Sequence, residues 1–218
     1  MNQSLHIPLS PSLDTAVRRG RRLEYLTLVW NSLEAVASLV AGLLAGSIAL
    51  VGFGIDSVIE VSSGVILLWR LRAGEDAERR ERLALRLVGV SFLALAAYVA
   101  YESVSNLVRH EPPEKTLPGI IIAAVSLVAM PLLARAKRRV ARALNSGAMQ
   151  ADSRQTDICA YLSAILLGGL LLNFLLGWWW ADPAAAMVMV PLITWEGLQG
   201  VRGKTCCEGG PCGTDMSS

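Results

Sequence analysis

Three features of the sequence predict an all-α membrane fold, a bundle of six transmembrane helices with both termini in the cytoplasm. Hydrophobic residues make up 53% of the 218-residue chain and charged residues only 17%. With a mean hydropathy of +0.47, this is far more apolar than a soluble domain. Six apolar runs are each long enough to cross about 30 Å of hydrocarbon, which takes roughly 20 residues. The Lys and Arg residues gather on alternate connections between those runs, as the positive-inside rule requires.

The elements follow in order. Residues 1–23 read as a cytoplasmic tail: they are polar, contain Pro8 and Pro11, carry the cluster Arg18, Arg19, Arg21 and Arg22, and lack the pattern of a secretory signal. The six-span transmembrane domain covers 24–201. Span one, 24–46, holds Asn31 and Glu34 three residues apart, a polar face that either lines an access path or makes helix-to-helix hydrogen bonds. Its last turns, Gly42-Leu-Leu-Ala-Gly46, form a small-residue stripe suited to close packing. A turn at Gly46-Ser47 leads into span two, 48–70. Span three is 84–108. Span four, 117–135, opens on Pro118, and span six, 183–201, opens on Pro183, where the missing N–H costs nothing. Span five is 155–177, and Trp178, Trp179 and Trp180 follow it as an interfacial anchor. Residues 202–218 form a short tail with Cys206, Cys207 and Cys212, read as a soft-metal trap, as acylation sites or as cysteines without a role.

Eighteen of the twenty Lys and Arg residues fall before span one, between spans two and three, between four and five, or after six; Arg109 and Lys115 stand alone on the other side. Both termini are therefore expected in the cytoplasm. A nucleic-acid surface is not expected, because the basic residues are spread over loops without base-reading groups. Nor is an enzyme, because no nucleophile-and-base pair or phosphate loop is present.

Chemistry concentrates in span two. In F-G-I-D-S-V-I-E-V-S-S-G, Asp56 and Glu60 stand one helical turn apart, near the middle of an otherwise apolar run. An ionisable group there costs from ~2.5 to over 10 kcal/mol and normally lines a polar path. Two carboxylates on one face repel unless a cation or a shared proton lies between them. A structural ion pair with Arg or Lys is the bland alternative, and no basic residue is expected in the middle of a span. In span five, at about 100° per residue, Asp152, Gln155, Thr156, Cys159 and Ser163 share one stripe, while Asp157 points elsewhere. Cys159 is either a ligand or a small buried hydrophobe.

These residues carry a resemblance. The stretch A-G-S-I-A-L-V-G-F-G-I-D-S-V-I-E, together with Y-E-S-V-S-N-L-V-R-H-E-P-P, L-N-S-G-A-M-Q-A-D-S and A-D-P-A-A-A-M, resembles the membrane domain of the cation diffusion facilitator family, in a divergent branch. That resemblance implies a six-span exporter of divalent cations coupled to protons. It implies a metal site at Asp56 and Glu60, where Glu60 replaces the family's second Asp. In span five the family's A-D-x-x-H-x-x-x-D pattern aligns without gaps to put Gln155 at the His position and Cys159 at the second Asp; a gapped alignment would nominate Asp157. The expected ligands are therefore Asp56, Glu60, Cys159, Gln155 and Asp152. Family exporters usually carry a C-terminal cytoplasmic domain, whereas only residues 202–218 follow span six here. The domain is expected to be absent, and a homodimer would form through the spans.

The expected function is thus transport of a divalent transition metal, Zn²⁺ first with Mn²⁺, Fe²⁺ and Co²⁺ as alternatives, out of the cytoplasm across the plasma (inner) membrane. Its partners are the bilayer, the metal and protons, and no cofactor is called for. A metal-binding membrane regulator or scaffold without turnover is the alternative.

Overall fold

A computed structural model describes residues 11–70, 77–110, 112–144 and 147–202. They form six helices, α1 (Pro11–Ala45), α2 (Ile48–Arg70), α3 (Ala77–Arg109), α4 (Leu117–Leu144), α5 (Gly147–Leu176) and α6 (Ala181–Val201), and no strand occurs among them. All six are long and apolar enough to span a membrane, and the chain is a multi-pass integral membrane protein. Several helices outrun the expected spans. α1 starts at Pro11, α4 continues to Leu144 and α5 begins at Gly147, because Arg, Ala, Leu and Lys sustain a helix after hydropathy has fallen.

The bundle is built inside out. Along α1 the residues Glu24, Thr27, Asn31, Glu34 and Ser38 are buried, while Leu26, Val29, Leu33, Val36, Val40 and Leu43 are exposed. The three- and four-residue spacing puts each set on one face, and the outward face is apolar as lipid requires. α2 is the central helix and packs against α1, α3, α5 and α6. Phe53, Leu50, Val99, Met130, Leu162, Leu166 and Met189 fill the core around it.

The three hairpin connections meet at one end of the bundle. Gly46 turns α1 into α2 at φ 63°, a conformation that a Cβ would strain. The Glu114 N–H donates to the Ala45 carbonyl at 2.7 Å, and Asn173 Nδ2 donates to the Pro113 carbonyl at 3.2 Å. Trp178 and Trp180 stack there with ring centres 5.2 Å apart, and Trp179 lies against His110. Asp182 at the start of α6 is fully buried. Its carboxylate accepts from Ser47 Oγ at 2.5 Å and from the Ile48 N–H at 3.0 Å, capping α2 from another helix. At the opposite end α3 and α6 nearly touch: a Cβ on Gly89 would lie 2.4 Å from the Val201 nitrogen.

Candidate metal centre

α2 and α5 pack side by side, and their facing polar residues converge. One donor atom each from Asp56, Glu60 and Cys159 lies within 4.8 Å of the other two. Asp56 and Cys159 are buried and Glu60 is half-buried. The four-residue step along α2 sets both carboxylates on the face toward α5, and Cys159 meets them from the stripe that helix geometry assigned to it. Ser163, one turn on, is fully buried and donates to the Cys159 carbonyl at 2.8 Å.

α1 supplies the supports. Asn31 Nδ2 donates to Glu60 Oε2 at 2.7 Å, which fixes the carboxylate that a metal would use. Asn31 Oδ1 is buried without a hydrogen-bond partner. Glu34 accepts from Ser57 Oγ of α2 at 3.0 Å and from Ser126 Oγ of α4. Helix-to-helix hydrogen bonding, one of the two sequence readings of the Asn31–Glu34 face, is thus made by both residues, and Asn31 also lines a cavity with Glu60 and Gln155.

The remaining span-five residues part company. Gln155 faces that cavity, on the same side of α5 as Cys159. Asp152 lies two turns from Cys159, with its Oδ2 at 2.5 Å from Lys137 Nζ. Asp157, nominated by the gapped alignment, pairs with Arg138 away from the cluster. Cys206, Cys207 and Cys212 lie outside the described residues.

One expectation is corrected. Lys137, assigned to the connection after span four, sits inside α4 with 0% exposure. Besides Asp152 it faces Glu24 of α1 at 3.6 Å, so a basic residue does enter the bundle interior. The signal was present in the sequence: Met130, Leu133, Ala134, Lys137, Val140 and Ala141 fall on one helical stripe, and all six are buried. Glu24 was missed for the same reason, since it continues the Asn31–Glu34 stripe by two turns.

The family model for the cation efflux transmembrane domain matches residues 25–202. The chain is 25% identical over 168 residues to an uncharacterized transporter of Synechocystis, covering 73% of this chain and 54% of that protein. It is 26% identical over 160 residues to the cation-efflux pump FieF of Shewanella oneidensis, covering 69% of this chain and 54% of the pump. A cadmium, cobalt and zinc/H⁺-K⁺ antiporter of Bacillus velezensis is 24% identical over 201 residues, which cover 82% of this chain and 60% of the antiporter. The matched region thus spans a little over half the length of these relatives.

Proposed function

The chain belongs to the cation efflux family, and from that premise we propose that it carries a divalent transition-metal cation, Zn²⁺ first, out of the cytoplasm across the plasma membrane in exchange for protons. The observation that carries this reading is the convergence of Asp56, Glu60 and Cys159 between α2 and α5. At an effective dielectric constant of about 20, two negative charges within 4.8 Å of one another repel by roughly 3.5 kcal/mol or more. A bound cation reverses the sign of that term. Two carboxylates with a thiol form a mixed, borderline-soft donor set, which suits Zn²⁺ and its neighbours better than Mg²⁺ or Ca²⁺.

Donor atoms around tetrahedral zinc lie roughly 3.3–3.8 Å apart, a spacing within the 4.8 Å that bounds the three donors here. Gln155 or Asn31, both beside Glu60, is placed to offer a fourth oxygen. Alternation of access between the two ends of the bundle would move the ion, and protons taking its place on Asp56 and Glu60 would drive release. The Bacillus velezensis relative is named as an antiporter that exchanges metal against H⁺ and K⁺, which supports protons as the counter-ion.

Purified protein sealed in liposomes tests the reading with a panel of Zn²⁺, Co²⁺, Mn²⁺, Fe²⁺ and Mg²⁺. Zn²⁺ flux driven by an imposed pH gradient, and lost when an ionophore collapses that gradient, is expected. Zn²⁺ binding without flux would instead identify a regulator or scaffold.

A further inference from the structure

Two turns from the metal centre, toward the end of the bundle opposite the hairpin turns, three helices bring together charges that the α2–α5 site does not use. Glu24 comes from α1, Lys137 from α4 and Asp152 from α5. At 1.5 Å per residue, the seven residues from Glu24 to Asn31 and from Asp152 to Cys159 correspond to about 10 Å. A narrow polar cavity, wide enough for about one water molecule, is lined by Glu24, Lys137 and Asp152 and by Asn31, Glu60 and Gln155. The two charge clusters are thus joined.

The triad is poorly satisfied for a purely structural ion pair. Lys137 is tight on Asp152 at 2.5 Å and loose on Glu24 at 3.6 Å. Glu24 is 1% exposed, and its Oε1 has no hydrogen-bond partner. Asn31, 2% exposed in the same cavity lining, has an unpartnered Oδ1. A buried oxygen left so is costly. With both carboxylates ionised, Glu24 and Asp152 face a single ammonium, so one negative charge stays uncompensated, and a divalent cation in place of the ammonium neutralises both.

We propose that Glu24 and Asp152 form a second cation site, in which the Lys137 ammonium is a tethered resident that a divalent transition-metal ion displaces on its way to Asp56, Glu60 and Cys159. The site takes the same ion class as the α2–α5 centre and rests on that reading. Lys137 closes the path when no metal is present and leaves it by a rotation of its side chain. Because the ammonium is supplied by α4 and the carboxylates by α1 and α5, its departure also loosens the contact of α4 with both.

Two measurements on the full chain test this. In wild-type protein, acylation of Lys137 by a water-soluble amine reagent, read by mass spectrometry, should rise by about fivefold or more when Zn²⁺ is saturating. Unchanged protection of Lys137 in protein that binds Zn²⁺ overturns the second site and leaves the α2–α5 centre standing. Protein that binds no Zn²⁺ at all overturns both. In equilibrium dialysis, Lys137→Gln, in which no ammonium competes, should bind the second-site Zn²⁺ about fivefold or more tighter than wild type, and Lys137→Gln with Asp152→Asn should lose that gain. An equal affinity in folded Lys137→Gln and wild type contradicts the proposal; should Lys137→Gln not fold, the wild-type acylation result decides.

Discussion

A thiol at position 159, where the resemblance calls for a carboxylate, sets the chemistry of this centre. Cys159 is buried against Asp56 and Glu60, whereas Asp157 is spent on Arg138. Cys159→Ala should therefore weaken Zn²⁺ binding by about tenfold or more, measured by competition with a chelating dye, while Asp157→Asn leaves it close to wild type. Cys159→Asp should shift preference from Zn²⁺ toward Mn²⁺, since oxygen donors suit the harder ion. The opposite ranking would reinstate Asp157. Asp56, Glu60 and Cys159 were legible in the sequence because ionisable groups in an apolar run stand out, and because a period of 3.6 residues decides which of them share a face. Glu24 and Lys137 were harder to read. They sit where the apolar runs give way to basic clusters, and there a buried charge looks like any other loop charge until its neighbours on the stripe are followed into the helix.

At the scale of elements, six apolar runs sufficed to place six helices, but not to find what holds one helix to the next. Asp182 shows why. In sequence it opens a helix beside Pro183, and nothing local reveals that its carboxylate serves the N-terminus of α2 across the bundle. Asp182→Ala would strand the Ser47 hydroxyl and the Ile48 N–H in a buried place, at about 1–3 kcal/mol. A lower melting temperature in detergent is expected, with Asp182→Asn, which keeps an acceptor, falling less. Equal melting of the wild type and Asp182→Ala would show that the cap is dispensable. The approach of α3 to α6 at Gly89 and Gly197 was equally hidden, since glycines in spans are common and only the backbone positions show that a Cβ on Gly89 has no room.

At the scale of the whole molecule, the protein is a bundle with lipid-facing apolar stripes, a polar interior running from Glu24 to Asp56, and two ends that differ in charge. The excess of basic residues predicts that the end opposite the hairpin turns faces the cytoplasm. Trp178→Cys, in a background with Cys206, Cys207 and Cys212 changed to Ser, should therefore react with a membrane-impermeant thiol reagent added to intact cells; labelling only after lysis would reverse the orientation. On the proposed function, transport would depend on the carboxylates at the centre. The most direct measurement is Zn²⁺ flux into sealed proteoliposomes for wild type, Asp56→Asn and Glu60→Gln, each checked for folding by its melting temperature. Both substitutions keep side-chain shape and remove a charge, so flux should fall by about tenfold or more in each; near-wild-type flux in both folded variants would contradict the assignment of the α2–α5 centre.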